Sequence, residues 1–240
     1  MREILGRRRT SRWALRNAAL TCATRWHWPV VPGVGVPPAP SGGASRRLRP
    51  RRAAAAPTPP STPAAPRCNC RDPRCVVPGA HPTDPPLLAA TTDVRMVDWW
   101  WTNRPTAPVL LATGGQAASA LSLPAVAGAR ALAELDRRGV RVGPVVATPT
   151  RFHLLVRPYD LAELGELLHA QDWVPSSLRF HGDGGYVVLP PSEVGGGRVR
   201  WERRPEEEDG RVWLPTMHPL LPVLVEASAA VPDTGSRLAY

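Results

Sequence analysis

The sequence contains no lysine; all thirty basic residues are arginine. Alongside the many Ala, Gly and Pro residues, that bias reflects a GC-rich coding sequence, so the choice of arginine over lysine carries little mechanistic weight, although arginine binds phosphate well. Aromatic residues other than tryptophan are scarce, with two Phe and three Tyr. No stretch reaches the roughly 18 apolar residues of a membrane span, so no membrane partner is expected. No Walker loop, Gly-x-Ser-x-Gly elbow or His-Glu-x-x-His pair is present, so the P-loop, serine-hydrolase and zinc-protease classes have no sequence support. Acids are nearly absent from the first 67 residues, which hold thirteen arginines and only Glu3.

The formal charge of +10 therefore divides unevenly. Residues 1–67 carry +12, and residues 68–240, with seventeen arginines and nineteen acids, carry −2. A basic segment of this kind can meet nucleic acid or another acidic surface without reading sequence. The near-neutral body argues weakly against a deep, strongly basic nucleic-acid channel. Arg7-Arg8-Arg9 before a partly apolar run resembles a twin-arginine export signal. Arg12 and Arg16 interrupt that run and Arg25 follows it, so the chain is expected to be cytoplasmic.

Thirty prolines predict short elements joined by long loops. Residues 1–11 read as a basic tail. Residues 12–27 place Trp13, Ala19, Leu20, Ala23 and Trp26 near one helical face, and Trp28 to Val31 read as a short strand. Residues 34–66 combine an arginine cluster, an alanine run and five prolines from 57 to 66. They have almost nothing to bury, and a disordered insertion is expected there. Further helices are expected over 96–101, 125–138, 160–171 and 220–230. Strands are expected over 109–112, 118–123, 145–148, 152–156, 178–180, 186–189 and 199–201. This order, without strict βαβ alternation, predicts an α+β domain over residues 12–231, with a mixed or antiparallel sheet flanked by helices and a tail from 232 to 240.

Two constellations carry chemistry. Cys68, Cys70, Cys75 and His81 lie in one loop, residues 68–82, and make a full tetrahedral ligand set for a structural zinc. The alternative is a reduced cysteine loop. The second is aromatic: Trp99-Trp100-Trp101 cannot share one helical face, so at least one should be exposed, as a core edge or as a stacking surface for a base.

Five features in order resemble a family. They are the Trp28-Pro29-Val30 strand, the loop ending Pro78-Gly-Ala-His81-Pro82, Ala90-Thr91-Thr92-Asp93 with its tryptophans, the Thr113-Gly114 strand end, and Gly184-Gly-Tyr186-Val-Val-Leu-Pro190-Pro-Ser192 with Trp201 downstream. The series resembles the bifunctional DNA primase/polymerase N-terminal (Prim-Pol) domain of the archaeo-eukaryotic primase superfamily, in an actinobacterial flavour, over residues 14–33 and 68–205. The resemblance implies a nucleotidyltransferase that uses two divalent ions held by carboxylates. The family's Asp-x-Asp strand is best matched here by Leu121 and Leu123, and its third aspartate by Arg179. Magnesium or manganese catalysis is therefore not expected. The family's phosphate-contacting histidine is matched by His153 beside Arg151, so Arg151, His153 and Arg179 are the expected nucleotide-binding residues. Three readings follow: a Prim-Pol-like domain that keeps nucleotide or DNA binding without transfer chemistry, an active enzyme using other acids, and an interaction module whose Arg-rich arm binds nucleic acid.

Overall fold

A computed structural model describes residues 2–37 and 68–230, with side chains from residue 12 onward. Helix α1 (Arg2–Thr24) begins earlier than the expected 12 and runs through the basic tail. It leads through His27, in the left-handed region at φ 53°, into β1 (Val30–Pro32), two residues later than expected. Residues 34–37 do not belong to a structureless insertion. Val34 N donates to the His81 carbonyl at 3.0 Å, and Gly35 O accepts from Asn69 N at 3.2 Å, so these residues dock on the Cys/His loop. The rest of the expected insertion, from 38 to 66, lies outside the described residues, as does the C-terminal tail.

Helix α2 (Val94–Asn103) starts where Asp93 accepts from Arg95 N and Met96 N, an N-cap that satisfies two otherwise unpaired donors. Then come β2 (Val109–Ala112), β3 (Ser119–Pro124) and α3 (Ala125–Arg137). They are followed by β4 (Val145–Ala147), β5 (Arg151–Val156) and α4 (Leu161–His169), the last capped by Asp160, whose carboxylate accepts from Glu163 N at 2.7 Å. The chain continues with β6 (Arg179–His181) and β7 (Tyr186–Leu189). The expected strand at 199–201 is met by β10 (Arg200–Arg203), which joins a main sheet, and ahead of it β8 (Glu193–Val194) and β9 (Gly197–Arg198) form a small hairpin that was not expected. A second hairpin, β11 (Glu207–Glu208) with β12 (Arg211–Val212), precedes α5 (Leu221–Ala229). These two-residue pairs are too short for a periodic signal, which is why the sequence does not announce them.

The α+β expectation holds, and the pairings are antiparallel. A three-stranded sheet has the order β1-β2-β7, and a five-stranded sheet the order β10-β4-β5-β3-β6. In the second sheet, alternation sends side chains to opposite faces. Leu121, Leu123, Phe152 and Leu154 pack under α3 and α5 with Ala131, Leu135, Leu221 and Leu224. Gly128 permits this approach, since a Cβ there would lie 2.6 Å from Phe152 Cβ. On the other face, Ala118, Ala120, Val146 and Leu155 share one core with the smaller sheet, α1 and α2. The Thr-Gly strand end and the Gly-Gly-Tyr strand meet physically: Thr113 N donates to Gly185 O at 2.9 Å, and Thr113 Oγ1 donates to Gly182 O at 2.7 Å. The Pro-Pro-Ser end is equally concrete, for buried Ser192 Oγ accepts from Val109 N at 2.9 Å. Among the described residues no helix is long and apolar enough to cross a membrane.

Candidate functional site

The inner face of the five-stranded sheet ends in a polar cluster. In the antiparallel register Ser122 of β3 stands opposite His153 of β5 on one side and Arg179 of β6 on the other. Directly opposed residues share a face. Period-two alternation then adds Arg151 from β5 and His181 from β6, so five polar side chains from three strands occupy one patch. Ser122 and His181 were not singled out in the sequence. Their signal is weak because a serine and a histidine fifty-nine positions apart meet only through strand register.

The contacts within the patch are specific. Ser122 Oγ lies 2.8 Å from His181 Nε2. Arg151 donates from Nη2 to the carbonyls of Ser122, at 2.8 Å, and Ser177, at 2.7 Å, and its Nε reaches Ser122 Oγ at 3.3 Å. The two imidazoles are tilted with centroids 5.4 Å apart. His153 is only 8% exposed, and its Nδ1 is buried with no hydrogen-bond partner. Arg151, Arg179 and His181 are half-buried and form the open side of the patch. Burial, then the Arg179 charge, lowers Arg151 to about 10. Burial, then Arg151 and Arg179, lowers His181 to about 4. Burial, His181 and Arg151 hold His153 well below the usual imidazole range. Both rings are therefore neutral at neutral pH.

None of the five side chains is a carboxylate. Leu121 and Leu123, the expected counterparts of the family's paired aspartates, do not join this patch. Both are fully buried on the opposite face, because odd-numbered positions of β3 point to the helices. The β3 residues beside His153 and His181 are Ser122 and Ala120. Arg179, His153 and Arg151 do come together. Several acids elsewhere serve other partners: Asp136 pairs with Arg203, Glu134 with Arg137 and Arg138, and Glu206 and Glu208 with Arg141. Asp183 is exposed in the turn after β6, against Gly114. Magnesium and manganese are held chiefly by carboxylate and other oxygen ligands, so this donor set does not suit a two-metal centre.

The Cys/His loop forms a separate cluster. The ligand atoms of Cys68, Cys70, Cys75 and His81 all lie within 4.8 Å of one another, the only such metal-binding group among the described residues. His81 Nε2 is 3.4 Å from both Cys68 Sγ and Cys75 Sγ. Tetrahedral zinc with ordinary Zn–S and Zn–N bonds requires an S···N spacing of about 3.5 Å. His81 Nδ1 lies 3.1 Å from the Pro82 carbonyl, a contact that fixes the ring with Nε2 toward the thiols. Burial opposes ionisation of Cys68, but backbone N–H groups of Cys70 and Gly79 bring its thiol down to about 7. Burial, with neighbouring Cys70 and Cys68, pushes Cys75 up. The loop thus crowds thiols that a cation would relieve, and the donors fit a metal such as zinc. The loop is also tied to the patch's surroundings. Gly195 N donates to Pro78 O at 2.8 Å, and Gly196 and Gly197 of the β8–β9 hairpin lie against Pro149, in the turn that leads into Arg151.

The aromatic expectation is met in part. Trp100 and Trp101 are buried, and Trp99 is 58% exposed beside Met96 and Arg95 over a surface hollow of 370 Å³.

Residues 19–217 match the family described as bifunctional DNA primase/polymerase, N-terminal. No curated protein and no solved structure matches.

Proposed function

The chain belongs to the bifunctional DNA primase/polymerase (Prim-Pol) family, and from that premise we propose that it binds the phosphates of a nucleotide or of DNA on the Arg151–His153–Arg179 face without transferring nucleotides. One observation carries this reading: on the β3 face that looks toward His153, the side chains are Ala120 and Ser122 rather than acids. Nucleotidyl transfer by two metals needs carboxylates to hold the ions in line with the reacting oxygens. Phosphate binding needs only donors and positive charge. Arg179 supplies charge at the half-buried rim, and His153 Nδ1 supplies an unused polar atom in the floor. Arginine matches phosphate geometry in a planar fork and does not depend on a metal.

The same reading takes the Cys/His loop as a structural zinc site, with Cys68, Cys70, Cys75 and His81 as ligands. Its service is to order a loop that has little apolar surface of its own. The role is in DNA metabolism, and a cytoplasmic location fits it.

The test is primer extension alongside nucleotide binding. With magnesium or manganese present, no template-dependent product is expected, while a nucleoside triphosphate binds and Arg179→Ala weakens it about tenfold or more. Template-dependent product would overturn the proposal in favour of an active enzyme, and substitution of the exposed acids would then locate its metals.

A further inference from the structure

The two histidines have a feature that phosphate binding alone does not require. They come from different strands, lie 5.4 Å apart, and share the patch with two arginines and no acid. We propose that a phosphate group that itself carries close to two negative charges, such as the terminal phosphate of a nucleotide, binds this face together with a proton taken up by the His153–His181 pair. The inference rests on the phosphate-binding reading above and adds the class of phosphate preferred and the coupling.

The argument is one of charge. The groups acting on the pair are Arg151 on β5 and Arg179 on β6; the β4 residue opposite His153 is Val146, which is apolar. From β3 the neighbour is the neutral hydroxyl of Ser122, and Asp183 in the following turn is exposed and lies against Gly114. With the site empty, burial and the arginines keep both rings neutral. Arg151 spends part of its donor capacity on two backbone carbonyls and one hydroxyl. A phosphodiester brings one negative charge, which Arg179 and Arg151 already exceed. A terminal phosphate carries close to two charges near neutral pH, and a triphosphate more. That surplus falls beside the rings, favours the imidazolium and reverses the repulsion that holds them neutral. His153 Nδ1, buried without a partner, and His181, at the half-buried edge, are the two places for the proton. No bond between heavy atoms changes; an imidazole nitrogen gains an N–H bond and the buffer acid or hydronium that supplies the proton loses one, as the anion enters.

The experiment is calorimetric titration of the full chain, without added divalent ions, at pH 7 in two non-phosphate buffers of different ionisation heat. The ligands are ATP and a short 5′-hydroxyl oligonucleotide. ATP is expected to bind with net uptake approaching one proton, and with affinity that rises by nearly tenfold per pH unit from pH 8 to pH 6. The oligonucleotide is expected to bind with little or no uptake. His181→Gln, which keeps a hydrogen-bonding partner for Ser122, should reduce the uptake for ATP. Histidine ring resonances of the unaltered chain, followed by NMR, read the same protonation without any substitution. ATP binding with no proton uptake and unmoved histidine resonances would overturn this inference and leave the binding reading standing. Equal uptake with both ligands would overturn the preference for a terminal phosphate. No binding of either ligand would overturn both readings together.

Discussion

The Cys/His loop and the His/Arg face differ in what holds them in place. The loop's four ligands fall within fourteen positions of sequence, on a segment without strand or helix. Ionising more than one of its close thiols would set like charges together, so a cation is the natural partner. The face draws its five side chains from three strands of one sheet, and its geometry comes from backbone ladders already closed. It already carries positive charge, so its natural partner is an anion. Two polar clusters in one domain thus call for ligands of opposite sign, one as a condition of local order and the other on a surface that is ordered beforehand.

The sharpest way to break this comparison is to remove the metal ligands. Cys70→Ser is expected to abolish stoichiometric zinc in purified protein, and a zinc site of this type is worth about 10 kcal/mol to the segment it folds. Hydrogen exchange should rise across 68–82 while β3, β5 and β6 stay protected. Full protection of the loop in a zinc-free protein would show that it needs no ion.

The next test contrasts the two faces of β3. Leu121→Asp places a carboxylate among Ala131, Leu135 and Leu224, where it has no partner, and should cost about 4 kcal/mol or more in denaturant unfolding. Ser122→Asp puts the same group beside Arg151, Arg179 and His181 and should cost far less. Equal losses would mean that the face is not the electropositive surface described.

The smallest expected effect is the response to pH. His181 titrates at about 4 in the folded chain, against an ordinary 6.5, because of burial and two arginines. Below pH 6.5 the unfolded chain binds a proton there that the folded chain refuses, so stability falls as pH drops from 6.5 toward 4 and levels off below. The full swing from this one group is about 3 kcal/mol. Melting temperatures across pH 4–7 should show it, and His181→Gln should make the curve shallower, with His153 supplying the slope that remains. A wild-type curve that is already flat would mean that the ring is not held neutral.

Several features were legible along the chain because their physics is local. The ligands of the Cys/His loop are near neighbours, so spacing alone reveals them. Asp93 and Asp160 cap α2 and α4 because a capping side chain needs only the next two or three N–H groups. The Trp99–Trp101 run had to expose at least one ring, and Trp99 is that ring. Other features were not legible. The register that brings Ser122 and His181 to His153 depends on pairing across tens of residues. A shift of one position exchanges the faces of β3. Leu121 and Leu123 look like the positions to compare with the family's paired acids until the pleat assigns them to the core.

Composition, local spacing and capping therefore determined on their own that this is an α+β domain with a basic N-terminal segment, a metal-suited loop and a strand without acids. Tertiary structure alone decided which side of that strand matters and what stands beside it. The reason is that a side chain's face in a sheet is set by the ladder it joins, and hydrogen bonds between strands far apart in sequence leave no periodic trace within either one.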